Sequence, residues 1–367
     1  MKPARAALWI LAALLSAAAL LAENRITAYA PSPHYPEMTR AAGVMTEALD
    51  RVRDARIAGG IGIDPLRDPN RTGLIGLEYS EITTTLGDLE AKRTSTSPDT
   101  AALAVLLLRE AGVERGDAIA IGASGSFPGL VLAVLSAARA LDLDTALVLS
   151  LGASSWGANV PGFSYLRIHD AALPVLGYGI RAVSLGGGGD FGEDMQPEGR
   201  RLLGREAERS GLRFIGARSL EDSIAERLAL YDAFLDGRPC AAFVNIGGAS
   251  ANVGEEAQAL EFAPGINTAG SLPPEAQGVA FSMAARGVPV IHLLNLRALA
   301  RDYGLPWDPV PFPRIGESRA YKVYDRGLYR KRLWILTALY AAGLGALGAA
   351  GAVLRRRTER NLTDRSR

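Results

Sequence analysis

Apolar runs of five to seven residues recur along the middle of the chain, and small or polar residues follow each one. Asp117 to Ile121, Thr145 to Leu151, Ile180 to Leu185 and Ala241 to Ile246 are of this kind. Runs this short, with turn residues at their exits, predict strands buried on both faces of a parallel sheet. Helical patterns alternate with them. Glu37 to Ile57 places Met38, Ala42, Met45, Leu49 and Val52 near one face. Ser97-Pro98-Asp99 starts a helix that runs to about Ala111, with Gly112 past its end. Leu130 to Leu135 is apolar all round, which predicts a helix in the middle of the domain. Gly73 to Leu77 reads as one more short strand. The alternation continues through His292 and predicts a doubly wound α/β fold, its sheet mostly parallel, with Gly/Ser-rich loops at strand carboxyl ends.

Two longer apolar segments flank this pattern. Leu333 to Leu354 carries no charge over 22 residues, with Trp334 and Tyr340 near its start and Arg355-Arg356-Arg357 at its end. That is the length and flanking of a transmembrane helix. Ala6 to Ala22 carries none over 17 residues and fits either an anchor or a signal peptide. Leu20 fills the −3 position of a cleavage site around Ala22, which favours the uncleaved anchor. The expected organisation is an anchor or signal peptide over 1–22, a linker and amphipathic helix over 23–60, and an α/β ligand-binding domain over 61–316. A return linker (317–332), a transmembrane helix (333–354) and a basic cytoplasmic tail (355–367) complete it. Lys2 and Arg5, against a near-neutral Glu23 and Arg25, place the N-terminus inside and 23–332 outside the cytoplasm. Arg330-Lys331-Arg332 opposes that orientation. Tyr29 to Pro36 reads as a proline-rich linker, and Gly343, Gly345 and Gly348 form a small-residue face that admits another helix.

Composition narrows the function classes. The chain is 48% hydrophobic, enough for a sizeable core, and its formal net charge of +1 is unevenly spread. Between Glu23 and Tyr329 stand 29 Lys and Arg against 37 Asp and Glu. An acidic central region argues against nucleic acid as a partner. The single cysteine, Cys240, excludes an internal disulfide framework and a cysteine-based zinc site. No histidine pair has metal-ligand spacing, so neither a metal nor a cofactor is expected.

Three of the strand-like runs lead into the same letters, Gly-Ala-Ser, at 122–124, 152–154 and 248–250. Ligands of doubly wound sheets bind beyond the carboxyl ends of the strands. Ser124, Ser154, Asn245, Gly247 and Gly248 are therefore candidate ligand contacts. The loop Gly122 to Gly129 is the most specific of the three. Ser126 is placed to cap the following helix, Pro128 falls in its first turn, and the amides of Gly125, Ser126 and Phe127 can face an anion. Plain helix capping is the alternative. Catalysis would need Ser124 or Ser126 as nucleophile and His292 or Glu78 as base. The G-x-S-x-G elbow fails, because Ser126 stands where its second glycine belongs. Gly186 to Gly189 reads as a flexible loop at the sheet edge.

Several strings resemble the bacterial poly-γ-glutamate system proteins: Gly73 to Gly87, Ser124 to Gly129, Gly152-Ala-Ser154 with Gly157-Ala-Asn159, Phe243 to Gly248, and Pro289 to Asn295. The resemblance covers most of residues 60–315, and the two terminal apolar segments agree with it. It implies a membrane protein that takes part in making or exporting a γ-linked polyglutamate capsule, with the synthase or export subunits as partners. It carries no catalytic residues. Two readings follow: an accessory component that binds a polymer end or small anion, or a hydrolase or transferase with a serine nucleophile.

Overall fold

The computed structural model describes residues 3–23, 25–26, 28–254, 256–268, 270 and 276–364. In chain order its first elements are α1 (Pro3–Glu23), β1 (Tyr29–Pro31), α2 (Tyr35–Ala58), α3 (Leu89–Ser95), α4 (Asp99–Glu110), β2 (Ala118–Ser124) and α5 (Pro128–Leu141). Next come β3 (Asp144–Ser150), β4 (Asn159–Val160), β5 (Phe163–Ser164), α6 (Tyr165–Leu176), β6 (Ile180–Ser184), α7 (Pro197–Ser210), β7 (Arg213–Phe214) and α8 (Leu220–Leu235). The last are β8 (Cys240–Ile246), α9 (Ser250–Val253), α10 (Glu256–Ala259), β9 (Gly265–Asn267), α11 (Val279–Ala285), β10 (Val290–Leu293), α12 (Leu296–Tyr303), β11 (Lys322–Tyr324) and α13 (Arg326–Asp364). They form two units, one of residues 33–321 and one of the chain ends, 1–32 with 322–367.

The larger unit is built on a seven-stranded sheet of order β7-β6-β3-β2-β8-β10-β9. Every pairing is parallel except that of β9 with β10. All seven residues of β2 are buried, as are all those of α5 except Arg139. Alternation along β2 sends Ile119, Ile121 and Ala123 into one core, shared with α2, α4, α5 and α6. Ala120 faces the other, with Val148, Phe243 and residues of α8, α9 and α11. Helices therefore cover both faces, and the doubly wound expectation holds.

The three Gly-Ala-Ser strings do three different things. Gly122 to Ser124 finishes β2, Ala153 makes an isolated parallel bridge with Thr83, and Gly248-Ala249 leads into the single turn of α9. Gly73 to Leu77 is not a strand. It is an irregular segment held by the 156–159 turn: Gly76 N–H donates to Trp156 O (3.1 Å), Trp156 N–H to Leu77 O (2.7 Å) and Leu77 N–H to Asn159 Oδ1 (2.8 Å). A Cβ on Gly76 would lie 2.0 Å from Gly157 O, so the glycine is there for close backbone approach.

The Gly186 to Gly189 run does not behave as a flexible edge loop either. It leaves β6, one strand in from the edge, with positive φ at Gly186, Gly187 and Gly189, and returns Asp190 to the sheet with φ +72. Asp190 Oδ1 accepts from Ser150 (2.9 Å) and Ser184 (2.7 Å), and Oδ2 from Ser223 (2.5 Å) and Arg227 Nη2 (2.8 Å). Both side chains of the Arg227–Asp190 pair are essentially inaccessible. Buried charge needs this degree of satisfaction, and the loop is fastened by it.

In the other unit, β1 and β11 pair antiparallel, Tyr29 opposite Tyr324. Residues 29–31 are thus strand, and α2 begins at Tyr35 with Pro36 in its first turn, so little of 29–36 is linker. Helices α1 and α13 contain apolar windows of mean hydropathy 2.0 and 1.7, and both are long enough to cross a membrane. They pack on one another. Ser16 and Tyr340 share a hydrogen bond of 2.8 Å, and a Cβ on Gly343 would lie 2.7 Å from Leu15 Cδ2. Gly345 and Gly348 have no described atom within 4 Å of that position. Helix α13 starts at Arg326, inside the segment read as return linker, and is continuous to Asp364.

Candidate functional site

Strands β3, β6 and β7 are laid down in turn on one side of β2, after which the chain returns to set β8 on the other side. The carboxyl ends of β2 and β8 are therefore the switch point, where open α/β sheets bind ligands. Ser124 is the last residue of β2. It is 4% exposed, and its Oγ has no hydrogen-bond partner among the described residues. Across from it Gly247 has φ +84, and a Cβ there would lie 2.4 Å from Ser124 Oγ and 3.8 Å from Phe127 Cδ2. Only glycine fits between them. Gly248 is exposed on the rim.

Helix α5 starts beside this wall. Phe127 is its N-cap residue and no side chain caps it, so the sequence-based expectation that Ser126 caps the helix fails. Ser126 Oγ instead accepts the N–H of Ser154 at 3.0 Å, a contact across 28 residues. Of the three amides expected to face an anion, that of Gly125 is taken by Ser150 O at 2.9 Å. Those of Ser126 and Phe127 have no partner among the described residues. Gly125 itself is structural: a Cβ there would lie 2.6 Å from Leu151 O.

Lys92 of α3 was not singled out from the sequence. It is 2% exposed and touches no carboxylate. Its Nζ donates to Ser154 Oγ (2.7 Å) and to Ser126 O, and lies 3.6 Å from the centre of the Phe127 ring. Burial brings its pKa down to about 7, against a weak opposing pull from Asp88. Lys92, Ser126 and Ser154 thus form one contact group behind Phe127.

Asn245 and His292 lie in register on β8 and β10, opposite Gly122 on β2. Asn245 Nδ2 donates to Gly247 O (2.8 Å) and to His292 Nδ1 (3.0 Å), leaving the ring proton on Nε2; Asn245 Oδ1 is buried without a partner. Asn245 thereby braces the Gly247 turn. The imidazole stacks on Phe262 at 5.0 Å and lines a 420 Å³ pocket with Pro264, Leu294 and Asn295. His292 lies two strands from Ser124, roughly 10 Å at the usual strand spacing. It hydrogen-bonds neither Ser124 nor Ser126. Glu78 is exposed on the irregular 73–82 segment. The structure therefore pairs neither proposed base with a serine. Among the described residues no three His, Cys, Asp or Glu come together as metal ligands.

Burial pushes the His292 pKa down to about 4 from an ordinary value near 6.5. The unfolded chain then binds the proton more readily than the folded one. Stability from this group is complete above about pH 6.5 and is lost as pH falls through about 4, a total on the order of 3 kcal/mol. Melting temperatures of wild type and His292→Gln, compared from pH 7 to pH 4.5, are expected to converge as pH falls. A constant offset between the two would refute the assignment.

Comparison with protein-family models, curated proteins and solved structures gives no match for this chain.

Proposed function

We propose that this chain is a membrane-anchored module that binds one carboxylate or phosphate group at the β2/β8 switch point. Its place, in this reading, is as an accessory component of poly-γ-glutamate synthesis or export. The soluble unit then lies outside the cytoplasm, and the two terminal helices meet the synthase or export subunits. One observation carries the binding. The N-terminus of a 14-residue helix presents the unengaged amides of Ser126 and Phe127 beside Ser124, a buried hydroxyl without a partner. Free amides at a helix N-terminus, aided by the macrodipole, suit an anion. They do so with neutral donors, which matters in an acidic region. The polymer rests on the resemblance of the Ser124 to Gly129 and Phe243 to Gly248 strings, and the sidedness on Lys2 and Arg5.

Titrating the full chain in detergent with a short γ-linked glutamate oligomer tests the reading. Saturable binding is expected, weakened about tenfold in Ser124→Ala, the usual worth of a hydrogen bond to a charged group. Because Ser124 Oγ has no internal partner, the melting temperature should stay put. Absence of binding by the wild type, or undiminished affinity in the variant, would sink the site.

A further inference from the structure

Three of the serines at this end of the sheet, Ser124, Ser126 and Ser154, differ in surroundings. Ser124 is buried and unpartnered, Ser154 is buried between two partners, and Ser126 is only partly covered. Ser154 is the link. Its N–H holds Ser126 Oγ at 3.0 Å while its Oγ takes Lys92 Nζ at 2.7 Å. Lys92 has no ion pair among the described residues, although removing an ammonium from water without a counter-ion is expensive. A neutral side chain of the same length would tie α3 to this loop at lower cost.

We propose that Ser126 is a nucleophile, served by Lys92 through the Ser154 hydroxyl, and that the crevice hydrolyses or transfers the acyl group of a carboxylate-bearing amide or ester. This goes beyond the binding reading, which stands even if Ser126 is inert. Lysine can replace histidine as the base for a serine, and a base that works through a second hydroxyl can itself stay hidden. That accounts for a buried Lys92 beside a more accessible Ser126. Burial also makes Lys92 neutral in much of the population near pH 7, as a base must be.

In the chemical step, Ser126 Oγ bonds to the acyl carbon. In the structure Ser126 Oγ meets only the Ser154 N–H among the described residues. The step therefore requires the Ser126 hydroxyl to turn onto Ser154 Oγ when substrate binds, as catalytic contacts that tighten in the complex do. Its proton then passes to Ser154 Oγ as the Ser154 proton passes to Lys92 Nζ. The carbonyl oxygen, now an oxyanion, takes the free N–H of Phe127, the residue after the nucleophile, at the positive end of α5. Collapse breaks the bond from the acyl carbon to the leaving nitrogen or oxygen, which takes the proton back along the same route. The Ser126 ester is then cleaved by water, or by an amine in the transfer case, whose proton follows that path. With the Phe127 N–H turned to the oxyanion, the free Ser126 N–H and Ser124 Oγ are left to hold the substrate's carboxylate.

The test is covalent labelling of the full chain in detergent with a fluorophosphonate, the modified residue located by mass spectrometry. The expected result is a single adduct on Ser126. Its rate should fall about 100-fold in Lys92→Met and in Ser154→Ala, and Ser154→Thr, which keeps the hydroxyl, should restore it to within tenfold. A merely structural Ser154 would leave the wild-type labelling rate as insensitive to pH as that of Lys92→Met. A relayed base instead makes the wild-type rate rise through about pH 7 while the Lys92→Met rate stays flat. No adduct on Ser126 in the folded wild type would overturn the proposal. So would equal labelling rates in wild type, Lys92→Met and Ser154→Ala.

Discussion

Arg227→Met is expected to destabilise the unit of residues 33–321 by about 3–5 kcal/mol, because it strands a buried carboxylate. Asp190 would keep three hydroxyl donors, from Ser150, Ser184 and Ser223, but lose its only ionic partner among the described residues. Arg227 also donates to Ser150 and Ser184 themselves, so their hydroxyls lose an anchor in the same event. Removing both charges at once, with Asp190→Asn added to Arg227→Met, should recover part of the loss, since no charge is then left buried alone. Thermal unfolding of the single and double variants decides this. A double variant less stable than Arg227→Met would mean that the Asp190 carboxylate contributes independently of its ion pair.

Gly247→Ala should cost about 2–5 kcal/mol and abolish the proposed ligand binding. Two effects add: a methyl group 2.4 Å from Ser124 Oγ is overpacking, worth about 1–3 kcal/mol, and a non-glycine residue at φ +84 costs about 1–2 kcal/mol more. They can be separated. In a Ser124→Ala background the nearest atom is gone, so Gly247→Ala should retain only the backbone part of its cost. A double-mutant cycle in melting temperature measures the difference. Strict additivity would show that Ser124 and Gly247 do not face each other, and the crevice would have to be redrawn.

Strands β2, β3, β6 and β8 were legible because a strand covered on both faces must be apolar throughout, and that leaves a mark in any sequence. The switch point followed from them, since Ser124 and Gly247 are where β2 and β8 run out. What escaped notice depends on distant neighbours. Lys92, between Ala91 and Arg93, reads as a surface residue of a short polar helix; it is hidden only because the Ser126–Phe127 turn and Ser154 close over it. Arg227 is concealed in the same way within an otherwise ordinary α8. Ser126 carries the local signature of a cap, but the Ser154 N–H claims its oxygen. Gly73 to Leu77 has strand composition and no neighbouring strand to pair with, and the Asn159 side chain supplies the missing ladder contacts. A local pattern predicts what a segment prefers, and these segments were decided by what came to meet them.

The pairing of α1 with α13 also sets an order of events in time. Ser16 and Tyr340 are 324 residues apart. At ribosomal rates of about 5–20 residues per second, roughly 15–65 s pass between the synthesis of the two. Throughout that interval the first helix stands without its mate, while residues 33–321 are made. Ser16 is equipped for the wait: its hydroxyl donates to Ala12 O at 2.9 Å within its own helix. When Tyr340 arrives, its phenol can donate to the oxygen left over. The helix hairpin is thus a late closure, completed only after every strand of the sheet has been made.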